Sequence, residues 1–238
     1  AAALVIRTYT VVDAKLLDAA SGLKVVGRAG VGLDNVDLDA CRQRGVRVVH
    51  TPDANTQAVV EYVTGLIVDA VRPRVSFDAP VDAATFHHHR QTCIGRQLDG
   101  LILGVLGMGR IGRRIAEVAH AIGMRVIYND LLTRRELGLD DTNPAEFVDK
   151  PTLWAESDIL SIHVDGRAEN RRLINGDVLD QLKPACVLIN AARGMLVDAG
   201  ALAAWAKRAA DQGGRAILDV HDPEPPDADY PLYGLPNV

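Results

Sequence analysis

The sequence predicts an α/β fold built on parallel β-sheets. Short apolar segments rich in Val, Ile and Leu alternate with longer amphipathic ones, and the first series of apolar segments is ALVIRTY, LKVVGRA and VRVVHTP. A second, separate series consists of LILGVLG, RVIYND, DILSIHV, CVLINAA and RAILDVH. Such alternation is typical of βα units that contribute successive strands to a parallel sheet.

A break in this pattern divides the chain into two domains. The apolar helical segment TQAVVEYVTGLIVDAVR is followed by Pro73 and Pro80, and the next segment, FHHHRQTCIGRQLDG, has no clear period, which is typical of a connector. The five segments of the second series predict a doubly wound, Rossmann-type sheet with helices on both faces. We therefore expect two domains joined by this connector, the second of them a Rossmann domain.

The composition argues against several classes of function. The 238 residues, 48% of them hydrophobic, can bury a sizeable core, and a net charge of −5 without a run of Lys or Arg offers no basic surface to nucleic acid. No apolar stretch is long enough to predict a membrane span. The three cysteines are widely spaced and predict neither a disulfide framework nor a thiolate zinc site. We expect a soluble, cytoplasmic protein with a small-molecule partner.

A glycine-rich turn is the first motif that indicates chemistry. Gly107, Gly109 and Gly112 form a G-x-G-x-x-G pattern that follows an apolar strand and opens a helical segment. These glycines permit a tight turn, close approach of a pyrophosphate and close packing of the helix on the sheet. Asp130 lies at the end of the next strand, where a dinucleotide site has an acidic residue. The segment therefore predicts a dinucleotide-binding site.

The same acidic residue favours NAD over NADP. The carboxylate of Asp130 can accept hydrogen bonds from a ribose hydroxyl, and its charge would repel the extra phosphate of NADP. Arg134 and Arg135 lie nearby in the sequence and could hold that phosphate, so NADP remains the alternative.

Four motifs together resemble one family. GRAGVGLDNVDLDACRQRGVRVVHTP, LGMGRIG, NAARGMLVD and DVHDPEPP occur in the order seen in the D-isomer-specific 2-hydroxyacid dehydrogenases, and the resemblance covers nearly the whole chain. It implies a flavodoxin-like substrate domain, present in part at residues 1–74, and an NAD-binding Rossmann domain at residues 75–238, with the active site in the cleft between them. Members of the family have further strands before and further chain after these segments, so we expect this chain to be a fragment.

The resemblance implies two catalytic residues. Arg193 in NAARG matches the arginine that binds the substrate carboxylate and carbonyl oxygen, which a guanidinium can do through two charge-assisted hydrogen bonds. Glu224 matches the glutamate that orients the catalytic histidine and raises its pKa. That histidine belongs to a PH motif beyond a PNV-like stretch, so we expect it after Val238. His221 is a weaker substitute, because an odd spacing from Glu224 in an extended segment places the two side chains on opposite faces.

Further positions match the family's cofactor and substrate contacts. Thr51, Ala191 and Ala192 match the nicotinamide end, and Asp219 matches a contact to the nicotinamide carboxamide. The expected cofactor-binding residues are Thr51, Gly107, Gly109, Arg110, Ile111, Gly112, Asp130, Ala191, Ala192 and Asp219. The segment HVDGRAENRRLIN departs from the family, in which many members have a proline and threonines close to the cofactor.

The RAGVG segment resembles the family's substrate loop. Gly30, Val31 and Gly32 follow a strand, where exposed N–H groups could hold a carboxylate in a nest. Arg28 matches a residue that binds the substrate phosphate in some phosphoglycerate dehydrogenases, although it also occurs in members with other substrates. No metal site is predicted, because consecutive residues such as His87–His89 seldom converge on one ion and no acidic or thiolate partner is suitably spaced.

Two functions follow from these observations. The first is an oxidoreductase that transfers a hydride between NAD(H) and C2 of a small D-2-hydroxy or 2-keto acid. The alternative is an NAD(H)-sensing binding protein, because the corepressors called C-terminal binding proteins share the fold and have a similar DVH...EP segment. The family also implies a homodimer. We expect the segment TQAVVEYVTGLIVDAV to present an exposed apolar face if a partner normally covers it, because it is too apolar for a solvated helix.

Overall fold

A computed structural model describes residues 1–140 and 142–238. The chain divides into two compact units, Ala1–Ala58 and Val59–Val238, whereas the sequence places the boundary at residue 74. The difference has a physical cause in the helix Thr56–Val71, which buries Val60, Val63, Ile67 and Val71 in a cluster with strand residues of the second unit. This apolar face of the helix is therefore covered within the chain.

The first unit is a three-stranded parallel sheet with two short helices. Its strands lie in the order β1-β2-β3. They are β1 (Ala3–Ile6), β2 (Val25–Arg28) and β3 (Arg47–His50), and the helices are α1 (Ala14–Ala19) and α2 (Leu38–Gln43). Each helix begins at an aspartate, Asp13 or Asp37, whose carboxylate accepts a hydrogen bond from a first-turn N–H. The sheet and helices share a core that includes Ile6, Leu17 and Val26.

The second unit contains a six-stranded parallel sheet in the order β6-β5-β4-β7-β8-β9. Its strands are β4 (Ile102–Leu106), β5 (Arg125–Asn129), β6 (Glu146–Phe147), β7 (Ile159–Ile162), β8 (Val187–Asn190) and β9 (Arg215–Leu218). The chain fills one half of the sheet outward from β4 and the other outward from β7, which is the doubly wound Rossmann order and confirms the predicted fold. The five predicted strands all form, and β6 adds a two-residue edge.

Helices cover both faces of this sheet, and one further helix on the connector buries no residue. They are α3 (Thr56–Val71), α4 (Ala83–Thr92), α5 (Arg110–Ala121), α6 (Lys150–Glu156), α7 (Gly176–Leu179) and α8 (Ala199–Ala209). Successive strand residues enter opposite cores: Val105 packs in the cluster that contains α3 and α5, and Leu106 packs in the cluster that contains α6 and α8. The predicted connector includes α4, which buries no residue and therefore has no apolar period.

Candidate active site

The carboxyl ends of five adjacent strands align in one row. The register pairs the last residues of β5, β4, β7, β8 and β9 side by side: Asn129, Leu106, Ile162, Asn190 and Leu218. One residue further along each strand stand, in the same order, Asp130, Gly107, His163, Ala191 and Asp219. Ligands of doubly wound sheets bind at this edge, next to the point where the strand order reverses, which here lies between β4 and β7. Four of the five residues are ones that the sequence assigns to a cofactor.

The glycine turn after β4 leaves open space in front of α5. Gly107 has a φ of 96°, and a Cβ there would lie 2.8 Å from the carbonyl carbon of His163. A Cβ on Gly112 would overlap the carbonyl oxygen of Gly107. Gly109, the N-cap of α5, differs from both, because its Cβ would meet no atom within 4 Å. The protein's own packing therefore leaves room at this helix N-terminus, where unpaired N–H groups and the helix dipole favour an anion.

A pocket of about 450 Å³ extends from this turn along the sheet edge. Leu131, Leu132, Val164 and Leu173 contribute apolar walls, and Arg110, Lys150 and Arg167 contribute positive charge. Asp130 and His163 also line the pocket. Its volume and mixed lining suit a nucleoside with an attached phosphate.

Asp130 is held at the pocket by backbone donors. Its Oδ2 accepts the N–H of Met108 at 2.6 Å, and its Oδ1 accepts the N–H of Leu132 at 2.9 Å. A carboxylate has about four acceptor positions, so those that remain can bind a sugar hydroxyl. The carboxylate thus connects the glycine turn to the loop after β5 and carries its negative charge at a fixed place.

Arg134, a candidate from the sequence for binding a 2'-phosphate, stabilises the loop in which it lies. Its guanidinium donates to the carbonyl oxygens of Ala145 at 2.9 Å, Asn143 at 2.9 Å and Asp140 at 2.5 Å. These bonds fix the chain between β5 and β6. Three of the five N–H donors of this guanidinium are therefore already used within the loop, which leaves two for an incoming phosphate.

His163 is a pocket residue to which the sequence analysis gave no role. Its Nε2 lies 2.8 Å from the Oγ of Ser161, and burial lowers its pKa to about 4, so the imidazole is neutral at pH 7. The available signal was its position directly after a buried strand, in the same place as Gly107 and Ala191 on their strands. A neutral imidazole here offers a hydrogen-bonding group without adding charge.

Arg193 follows β8 in a turn that Asn190 braces. The Nδ2 of Asn190 donates to the carbonyl oxygen of Arg193 at 2.9 Å, and its Oδ1 accepts the N–H of Ala192 at 3.1 Å. Asn190 itself is buried, so both bonds are protected from water. The guanidinium of Arg193 donates to the carbonyl oxygen of Ala192 at 2.7 Å. The predicted segment of Ala191, Ala192 and Arg193 is thus a defined turn at the sheet edge.

The segment DVHDPEPP leaves the sheet after β9 and packs against the turn that follows Arg193. A Cβ on Gly194 would overlap the backbone of His221, so the two chain segments are in close contact. The ring of His221 packs edge-on against Tyr230 with centroids 5.5 Å apart, and its Nδ1 is buried. Asp222 forms an ion pair with Arg171 at 2.8 Å. Glu224 is exposed.

Asp219 has a partner that the sequence did not indicate. Its N–H donates to the carbonyl oxygen of Asn190 at 3.0 Å, which extends the ladder between β8 and β9. Its carboxylate accepts a hydrogen bond from the hydroxyl of Tyr62 on α3, and burial together with this carboxylate raises the pKa of Tyr62. Nothing local marks this tyrosine, because the pair joins distant parts of the chain.

The substrate loop predicted in the first unit lies between β2 and α2. The N–H of Gly30 donates to the carbonyl oxygen of Arg28 at 3.0 Å, and the carbonyl oxygen of Gly30 accepts the N–H of Thr51 at 3.2 Å. The guanidinium of Arg28 folds over Gly30, where a Cβ would overlap it. The predicted nest therefore lacks the N–H of Gly30, which is already bonded, and retains those of Val31 and Gly32 as candidates.

Among the residues that the structure describes, no three His, Cys, Asp or Glu side chains cluster in a way that could hold a metal ion. Over the same residues, no helix has both the length and the apolar character needed to cross a membrane. His87–His89 lie within α4 on the connector.

Comparisons with known proteins match most or all of the chain. Residues 64–238 match the model of the D-isomer specific 2-hydroxyacid dehydrogenase, NAD binding domain. The chain is 37% identical over 236 residues to D-3-phosphoglycerate dehydrogenase of Archaeoglobus fulgidus, which covers 99% of this chain and 44% of that protein. It is also 37% identical over 234 residues to glyoxylate reductase of Aeropyrum pernix, which covers 95% and 68% of the two chains.

Solved structures show the same likeness. The TT0316 protein from Thermus thermophilus matches with a TM-score of 0.82 and 35% identity, over all of this chain and 73% of that one. D-lactate dehydrogenase from Aquifex aeolicus, solved with NAD and lactic acid, matches with a TM-score of 0.78 and 29% identity, over 94% and 66%. The chain spans less than half the length of the Archaeoglobus relative. It belongs to the D-isomer specific 2-hydroxyacid dehydrogenase family.

Proposed function

We propose that this chain forms the NAD-binding part, with a portion of the substrate domain, of a dehydrogenase that transfers a hydride between NAD(H) and C2 of a small D-2-hydroxy or 2-keto acid. One observation carries the proposal: the residues expected to hold the cofactor stand side by side on adjacent strands of a Rossmann sheet. The open N-terminus of α5 and the acidic residue beside it fit a dinucleotide, and NAD supplies the carbon that accepts or donates the hydride.

In this proposal different residues of the sheet edge bind different parts of the cofactor. The N-terminus of α5, with Gly107 and Gly109, holds the pyrophosphate. Asp130 binds the adenosine ribose, and its fixed charge disfavours the 2'-phosphate of NADP. Ala191 and Asp219 lie toward the nicotinamide, with Asp219 accepting from the carboxamide. Arg110 and Ile111 present the first-turn N–H groups, and the family resemblance adds Ala192 and Thr51.

Arg193 acts on the substrate. Its guanidinium can make parallel hydrogen bonds to the carboxylate and to the oxygen on C2, which orients the acid and stabilises the negative charge that develops on this oxygen during reduction. The turn that Asn190 braces supplies a fixed backbone for this side chain. Glu224 orients the general acid–base histidine that the family has beyond the segment corresponding to Val238. The family resemblance alone assigns substrate contacts to four residues of the substrate domain: Arg28, Gly30, Val31 and Gly32.

The protein is further proposed to be a cytoplasmic homodimer. The connector around α4 exposes apolar side chains that a second copy of the chain can cover, and these are Val75, Phe77, Val81, Phe86 and Ile94. Sedimentation equilibrium should give twice the mass of one chain, and the double variant Phe77→Ser/Phe86→Ser should shift the mass toward one chain. An unchanged mass in that variant would move the interface elsewhere.

The protein encoded by the complete gene provides the test of activity. NADH oxidation should be followed with glyoxylate, hydroxypyruvate and related keto acids, with the Arg193→Ala variant as the control that retains the cofactor pocket. We expect turnover to fall at least about a hundredfold in the variant, because it loses charge-assisted contacts to the reacting oxygen. NADH binding without turnover above that of the variant would instead favour the NAD(H)-sensing binding protein.

A further inference from the structure

Two contacts join α3 to β9 in opposite chain directions, Ala70 to Arg215 and Tyr62 to Asp219. The guanidinium of Arg215, at the start of β9, donates to the carbonyl oxygen of Ala70 near the end of α3 at 3.2 Å. From Ala70 back to Tyr62 the helix rises about 12 Å, and from Arg215 forward to Asp219 the strand advances about 13 Å. These two distances are nearly equal, so Tyr62 lies beside the carboxyl end of β9.

The position of Tyr62 on α3 is well defined. The adjacent Val63 is fully buried, and Val60 and Ile67 pack with it in the core that Ile217 of β9 also contacts. Tyr62 is 47% exposed and does not belong to this core, so its ring lies at the edge of the core. Its hydroxyl meets the carboxylate of Asp219, which is otherwise an exposed group.

We propose that Tyr62 is a positioning residue that fixes the carboxylate of Asp219 in the orientation that receives the nicotinamide carboxamide. This inference rests on the proposed function, in which Asp219 contacts the carboxamide. The backbone of Asp219 is held by its hydrogen bond to Asn190, but that bond leaves the side chain free to rotate. The tyrosine hydroxyl occupies one acceptor position of the carboxylate and leaves others for an amide N–H donor.

The substitution Tyr62→Phe tests this role with little disturbance, because it removes one oxygen and keeps the ring. Titration with NADH and with ADP-ribose separates the ends of the cofactor, since ADP-ribose lacks the nicotinamide. We expect the variant to bind NADH about fivefold more weakly and ADP-ribose as tightly as the unmodified protein. Tyr233→Phe is the matched control, because it removes another exposed tyrosine hydroxyl of the same unit, and it should leave both affinities unchanged.

A double-mutant cycle shows whether Tyr62 acts through Asp219. The variant Tyr62→Phe/Asp219→Asn should bind NADH no more weakly than Asp219→Asn alone, because the tyrosine then has no carboxylate to position. Additive losses would overturn the inference, as would equal weakening of NADH and ADP-ribose, which would indicate a general structural effect.

The contact itself has a readout that needs no cofactor. Ultraviolet titration, as the difference between the unmodified protein and Tyr62→Phe, should give a pKa for Tyr62 above that of a free tyrosine, and Asp219→Asn should lower it. No change on Asp219→Asn would overturn the pairing. If the unmodified protein fails to bind NADH at all while this titration behaves as expected, the proposed function fails and the contact between the two side chains stands.

Discussion

The glycine turn offers a pair of substitutions that separate folding from cofactor binding. Gly109→Ala places a methyl group where no protein atom lies within 4 Å, at a residue whose φ of −68° suits any amino acid. Gly112→Ala places the same group against the carbonyl oxygen of Gly107 and 3.1 Å from the Cγ1 of Val105. The methyl group of Gly109→Ala thus lies in open space that a ligand can occupy, whereas that of Gly112→Ala lies among packed protein atoms.

The expected magnitudes follow from these surroundings. Gly109→Ala should lower the free energy of unfolding by no more than about 1 kcal/mol, because it creates no clash and its only cost is the replacement of a favourable N-cap glycine by a less favourable alanine. Gly112→Ala should destabilise by about 1–3 kcal/mol, as overpacking does. Gly109→Ala should bind NADH at least about tenfold more weakly than the unmodified protein, since its methyl group occupies the position proposed for the pyrophosphate.

Urea denaturation and NADH fluorescence titration measure the two quantities on the same samples. Gly109→Ala should keep most of its stability and lose affinity for NADH. Unimpaired NADH binding by a stable Gly109→Ala protein would refute the assignment of this helix N-terminus to the pyrophosphate. A large loss of stability in the same variant would refute the description of the space as open.

Further substitutions test other parts of the edge. His163→Gln removes an imidazole whose pKa burial lowers to about 4. The unfolded chain takes up a proton from about pH 6.5 downward, whereas the folded chain does so only near pH 4, so protonation favours unfolding as the pH falls. Between pH 7 and pH 5 the free energy of unfolding, measured in urea, should therefore fall by about 2 kcal/mol more in the unmodified protein than in the variant, and equal losses would contradict this. Arg134→Ala should lower the urea midpoint by removing three hydrogen bonds without shifting the preference for NADH over NADPH, and a shift toward or away from NADPH would show that Arg134 contacts the cofactor. Asn190→Ala should cost about 1–3 kcal/mol in stability and lower kcat/KM, because it leaves partly buried backbone groups of the Arg193 turn unpaired. Unchanged kinetics would separate this turn from catalysis.

The sequence predicted the sheet of the second unit well because its signals are local. Each of five strands is a short apolar run, and the glycine pattern with Asp130 marks the turn after β4 without reference to any distant residue. The edge strand β6 was missed because two residues, Glu146 and Phe147, cannot establish an alternating pattern. α4 was missed for a related reason, since a helix with no buried face has no apolar period.

The features that the sequence could not reveal depend on contacts between distant segments. The apolar pattern of α3 shows that one face of the helix must be covered, but only the folded chain shows that Val63 and Ile67 pack against strands of the same chain. The role of Arg134 in its loop and the pairing of Tyr62 with Asp219 likewise require the folded chain. A sequence pattern identifies which residues are apolar or charged, whereas it does not identify what covers them.

The transfer of deuterium from NADH to product tests the central proposal most directly. The protein encoded by the complete gene would be incubated with glyoxylate or hydroxypyruvate and NADH deuterated at C4 on the transferred face, and the product analysed by mass spectrometry and chiral chromatography. We expect one deuterium at C2 of the hydroxy acid, with D configuration where C2 is a stereocentre, and loss of this label in Arg193→Ala. Bound NADH with no labelled hydroxy acid from any keto acid tested would contradict it.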